Sequence, residues 1–174
     1  IRAQLAAHPG NAMVFFPSYA YLSRVDALLA AEGVPGASIL REARGLTEEE
    51  KNALLGAFDK RDGWTVLLAV LGGAFAESVD LAGERLQNVI VVSTGLPQMD
   101  ARVRAMRRYH DENGADGAFL CMTLPGMVRV IQSAGRLIRT QSDHGALLLI
   151  DSRYQRGAER ALLSGTLIGD ALSG

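Results

Sequence analysis

The residues best placed to do chemistry lie in Gln132-Ser133-Ala134-Gly135-Arg136-Leu137-Ile138-Arg139. A helix drawn through them sets Gln132, Arg136 and Arg139 at i, i+4 and i+7, one polar stripe. Ile131, Ala134 and Ile138 fall on roughly the opposite side. Two guanidinium groups beside an amide can grip phosphate bidentately; a surface ion-pair network is the plainer use of the same residues. A second group is Gly72-Gly73-Ala74-Phe75-Ala76-Glu77-Ser78-Val79-Asp80, where two glycines let the chain turn close to a ligand and Glu77 and Asp80 can share a helical face. The third is Pro17-Ser18-Tyr19, a hydroxyl and backbone N–H groups opening a helix. That arrangement suits an anion, or serves simply as an N-cap.

These groups are placed by an alternation of strands and helices. Ala12–Pro17, Thr65–Leu71, Val89–Val92 and Ala146–Ile150 are apolar runs that read as buried strands, with Ser38–Arg41 a weaker candidate. Helices are expected after Ser18, after the Thr47/Glu50 capping box, over Met99–Glu112, over Met127–Thr140 and within Arg156–Leu163. Strands that are apolar throughout and alternate with helices imply a parallel sheet covered on both faces. The expected fold is α/β, doubly wound, a mainly parallel sheet of five to six strands in one domain over residues 1–174. Ligands of such sheets bind beyond the carboxyl ends of the strands, and two of the three groups above directly follow a strand.

Composition excludes other classes. Hydrophobic residues make up 48% and charged residues 21%, ordinary for a folded domain. The single cysteine, Cys121, rules out an intrachain disulfide or a cysteine-rich metal centre and reads as a small buried hydrophobe. The absence of a long apolar run and of a leader pattern gives the expectation of a soluble, cytoplasmic domain. No G-x-x-x-x-G-K-[ST] occurs and neither lysine follows a glycine, so no self-contained P-loop is encoded; nor is there the G-x-G-x-x-G of a dinucleotide-binding oxidoreductase. His8, His110 and His144 lack metal-ligand spacing, and Phe58 and Trp64 read as core or strand-edge cover.

The basic residues are 16 arginines and two lysines. Residues 1–98 carry 8 basic and 11 acidic side chains, whereas 99–139 carry 7 arginines and 4 acids. The local excess runs through Arg102, Arg104, Arg107, Arg108, Arg129, Arg136 and Arg139, which could face a polyanion or form a solvated helix face.

In order along the chain, FFPSY (Phe15–Tyr19), GGAFAESVDLAGERL (Gly72–Leu86) and QSAGRLIRTQSDHGALLLIDSRY (Gln132–Tyr154) resemble motifs IV, V and VI of the second RecA-like motor domain of XPD/DinG-type superfamily 2 DNA helicases. The resemblance spans about residues 10–155; Ser78 stands where the family usually has Gly. It implies a domain of an ATP-dependent DNA helicase of the repair or replication type. Arg136 and Arg139 would be arginine fingers toward ATP, with Gln132 orienting them or the attacking water. Gly73, Glu77 and Asp80 would belong to the ATP side, the two acids linking it to the nucleic-acid track, and Ser18 and Tyr19 would lie near a bound single strand. The implied partners are single-stranded DNA and an N-terminal motor domain carrying the Walker A lysine and the acidic box for Mg²⁺. An iron–sulfur cluster, found in many members, would sit outside this sequence. The alternative is a RecA-like or Rossmann-like module that binds a nucleotide or partner without hydrolysis.

Overall fold

The computed structural model describes residues 1–59, 63–76, 81, 85–137 and 144–166. Among these, five strands form one wholly parallel sheet in the order β2-β3-β1-β4-β5: β1 Ala12–Phe16, β2 Ala37–Arg41, β3 Trp64–Val70, β4 Asn88–Val92 and β5 Ala146–Ile150. The strand count lies within the expected five to six. β1 is central, with Ala12 paired to Val66 on one side and to Asn88 on the other.

Burial follows from that order. Every residue of β1 and β4 is buried and only Trp64 of β3 is partly open, whereas the edge strands β2 and β5 are half exposed. Successive side chains point to opposite faces. Met13, Phe15, Leu67, Ala69, Val89 and Val91 therefore build one core, and Val14, Phe16, Val66, Leu68, Ile90 and Val92 the other. α1 (Arg2–Ala7) and α2 (Tyr19–Glu32) cover the second core through Leu5, Leu22 and Leu29. α3 (Glu48–Gly56), α5 (Leu124–Ala134) and α6 (Gly157–Ser164) cover the first through Leu54, Met127, Val130 and Leu163. Phe58 and Cys121 are buried, as their sequence context suggests.

Local signals explain most helix starts. Thr47 and Glu50 satisfy each other's backbone at the head of α3, and these bonds hold the Glu50 carboxyl below its ordinary range. Asp100 caps α4 (Ala101–Glu112), none of whose residues is buried. On α4, Arg104 turns back to the Met99 carbonyl and Arg107 faces Asp111, so part of the basic run is engaged within its own helix.

One boundary departs from expectation. A helix over Met127–Thr140 was expected, but α5 starts at Leu124, running on from a π-turn over Phe119–Thr123, and ends at Ala134. Gly135 caps it, and Leu137 N donates to Ala134 O at 3.1 Å in a tighter turn. Leu137 is thereby drawn into the core against Gly145, where an added Cβ would stand 2.4 Å from Leu137 Cδ1. Burial of one leucine outweighs the modest cost of ending a helix at Gly135.

Phe15 is fully buried on the central strand. Phe15→Ala is expected to lower stability by about 3–5 kcal/mol. Urea denaturation measures this, and a loss below about 1 kcal/mol would remove Phe15 from the core as described.

Candidate functional site at the carboxyl ends of the strands

Because β1 lies between β3 and β4, the segments leaving these three strands meet at one crest. Ser18 caps α2, its Oγ accepting from Tyr21 N at 3.2 Å. This is the plain N-cap role. Tyr19 follows, its ring 4.5 Å beneath the Arg44 guanidinium and its hydroxyl donating to Glu42 Oε1 at 2.7 Å. Desolvation, followed by the bond to Glu42, pushes the Tyr19 phenol up to about 12, so it remains a donor throughout the neutral range.

Glu42 is the residue that sequence reasoning missed. It lies directly beyond the carboxyl end of β2 and is 3% exposed. Its Oε2 accepts from Val70 N at 2.9 Å and its Oε1 from Ala74 N at 2.8 Å, so the carboxylate holds both ends of the turn that follows β3. The double glycine now has a local reason. Gly72 has φ +76°, and a Cβ at Gly73 would stand 2.2 Å from Glu42 Oε1. Position 73 is glycine because the chain's own carboxylate fills that space. The signal was available: Glu42 follows a strand end, the position rule that drew attention to Ser18 and to the glycines.

Arg136 lies just past α5, half-buried, and its Nη2 donates to the Ala76 carbonyl. Gln132 is exposed on the last turn of α5. Since that helix ends at Ala134, the expected stripe does not continue as helix to Arg136; the turn after Gly135 sends Arg136 to the β3 loop instead. The structure thus brings Arg136 to the segment containing Gly73, and Tyr19 to the same segment through Glu42. Glu77, Asp80 and Arg139, like Ser78 and Asp143, lie outside the described residues.

Arg129 sits between the loops of β3 and β4. Added Cβ atoms at Gly72 and Gly95 would lie 3.2 and 3.7 Å from its side chain, and its Nη1 donates to Gly95 O at 3.3 Å. α5 can approach this closely because Gly126 meets the Thr94 carbonyl, 2.5 Å from where a Cβ would stand. Ser93 adopts φ +70°, an unfavourable region for a non-glycine residue. Tyr154 donates its hydroxyl to Ser93 O, and Arg153 Nη2 reaches Ser93 Oγ at 3.3 Å. Arg153 is itself held bidentately by Asp151, at 2.9 and 2.7 Å. That contact keeps the Asp151 carboxyl below its ordinary range, while burial raises the Tyr154 phenol.

Among the described residues no three His, Cys, Asp or Glu stand close enough together to hold a metal ion. No described helix is long and apolar enough to cross a membrane.

A five-stranded parallel sheet with arginine, tyrosine and carboxylate gathered at its carboxyl crest defines a RecA-like α/β domain. The helicase C-terminal domain family matches residues 1–167, and the chain belongs to it. A homolog of regulator of telomere elongation helicase 1 from Anopheles gambiae is 33% identical over 172 residues, 90% of this chain and 17% of that protein. The ATP-dependent DNA helicase chl-1 of Caenorhabditis elegans is 27% identical over 98% of this chain and 21% of its own length. The chain thus spans about a fifth of these relatives. A solved structure of apo XPD superposes with TM-score 0.72 at 20% identity over 94% of this chain and 33% of that one. Domain 2 of the DEAD-box helicase Mss116p, solved bound to an RNA duplex, superposes at TM-score 0.53 and 15% identity over 99% of this chain and 52% of that one. These two likenesses confirm the fold.

Two outcomes follow from the geometry. Gly73→Ala forces the Glu42 carboxylate aside and should destabilise by about 1–3 kcal/mol. In a Glu42→Ala background the same substitution should cost much less, and additive losses in a double-mutant cycle would contradict the contact. For Asp151, a depressed pKa means that its contribution is present above the ordinary value of 3.8 and is lost as pH falls below it. The stability difference between wild type and Asp151→Asn should therefore shrink in acid; a difference constant with pH would contradict this.

Proposed function

We propose that this chain is the second motor domain of an ATP-dependent DNA helicase. The family assignment supports this reading, and one contact carries it: the Arg136 guanidinium held on the Ala76 carbonyl, next to the segment that leads into Glu77 and Asp80. A guanidinium already oriented by the protein can meet developing phosphoryl charge with little rearrangement. In this reading Arg136 and Arg139 reach the γ-phosphate of ATP across a cleft shared with the N-terminal motor domain. Gln132 orients those arginines or the attacking water. Gly73, Glu77 and Asp80 form the ATP-facing segment, and Ser18 and Tyr19 contact the backbone of single-stranded DNA.

The phosphate-cradling lysine belongs to the N-terminal motor domain in this proposal. The acidic box that would bind Mg²⁺ belongs there too. Any iron–sulfur cluster likewise lies outside this chain, whose one cysteine is buried. This chain's own work is to orient two arginines and to hold one side of the DNA track.

Within the longer protein, Arg139→Ala or Arg136→Ala should lower ATP turnover by about 10³-fold or more, as for other arginine fingers. DNA binding should change far less. Steady-state ATPase assays with and without single-stranded DNA measure both, and unchanged turnover with weakened DNA binding would refute the arginine roles. The 174-residue chain alone should hydrolyse no ATP; DNA-stimulated turnover by it would refute the division of labour.

A further inference from the structure

The Glu42 carboxylate stands where two parts of the site meet. Its three described partners are uncharged donors: the Tyr19 hydroxyl, Val70 N and Ala74 N. Two of them, Tyr19 and Ala74, share the single oxygen Oε1. In a buried setting, moving one donor changes what the others experience, because hydrogen bonds sharing an acceptor polarise one another. From Ala74 the chain continues for two residues to the Ala76 carbonyl, which receives Arg136. A contiguous path thus runs from the Tyr19 hydroxyl through Glu42 to the β3 loop and on to Arg136.

The outer end of this path is open to a ligand. Arg44 is exposed, belongs to the same β2–α3 connection as Glu42, and lies over the Tyr19 ring. A phosphodiester offers the guanidinium a charged, bidentate partner that outcompetes a ring face at an exposed site. Drawing Arg44 toward a DNA backbone would alter the seat of Tyr19 and hence the bond it makes to Glu42.

We propose that Glu42 is a positioning residue that couples a DNA phosphate at Arg44 and Tyr19 to the placement of the Gly72–Ala76 loop and of Arg136. The inference rests on the helicase reading above and assigns that site its internal link. Glu42 touches neither ATP nor DNA; it holds the loop in the form that presents Arg136.

The test uses the longer protein, an oligothymidylate as the single strand, and two variants. Tyr19→Phe removes only the hydroxyl and keeps the ring under Arg44; Glu42→Gln keeps the shape but places an amide against backbone donors. Thermal unfolding establishes that each is folded. At saturating oligothymidylate, the ratio of stimulated to unstimulated ATP turnover should fall about fivefold or more in both, within the usual range of coupling between sites. In Glu42→Gln the half-saturating oligothymidylate concentration should move by less than about twofold, since Kd-type losses belong to contact residues such as Tyr19 and not to a link between sites. A ratio that survives in either folded variant would overturn the coupling. So would a raised half-saturation with full stimulation at saturation in Glu42→Gln, which would make Glu42 part of the DNA contact and not a link. Absence of DNA-stimulated turnover in the wild-type protein would instead overturn the helicase reading itself.

Discussion

The structure depends on β1 being paired on both edges and buried on both faces. A strand so placed must be apolar throughout, as Ala12–Phe16 is, and its ladder must be complete, as its parallel pairing to β3 and β4 makes it. That single constraint makes β2 and β5 the edges. It also brings the exits of β3 and β4 to either side of Ser18, so that residues far apart in sequence meet at one crest. Moving β1 to an edge would disperse the site.

At the crest, backbone groups that the sheet leaves unpaired are taken up by side chains. Glu42 closes the turn after β3 by accepting from Val70 and Ala74, and Tyr154 and Arg153 hold Ser93 in its left-handed conformation after β4. Arg136 finds the carbonyl of Ala76. Each of these loops is fixed by a group from elsewhere in the fold, the condition for a loop to hold a charged side chain in place. Two glycines permit the closest approaches: Gly73 makes room for the Glu42 carboxylate and Gly126 for the Thr94 carbonyl.

Within the crest, charge is distributed unevenly. Arg153 is held bidentately by Asp151 and reaches Ser93, while away on α4 Arg107 faces Asp111 in its own helix. Arg44 rests on an aromatic face, and Arg129 is wedged between two loops with one carbonyl partner. In the local basic excess counted along the sequence, Arg104 and Arg107 are engaged on α4 and Arg129 between two loops. Its members differ in what holds them, and those differences set which can turn to meet a phosphate.

Much was determined by the sequence alone. Apolar runs such as TVLLAVL and ALLLI marked the strands, Thr47 and Glu50 announced α3, and the motif order carried the family assignment. These signals are local: side-chain periodicity and capping act over a few residues, and a family pattern is read position by position. The end of α5 was decided otherwise, because the burial of Leu137 against Gly145 depends on a strand several residues away. Glu42 was decided by tertiary structure as well. An acid after an edge strand is ordinary in sequence, and only the sheet order sets it against Tyr19, Val70 and Ala74 at once. Local chemistry chose the elements and the reactive groups; the three-dimensional meeting of strand ends chose which groups act together, since hydrogen bonding requires a proximity that sequence spacing does not contain.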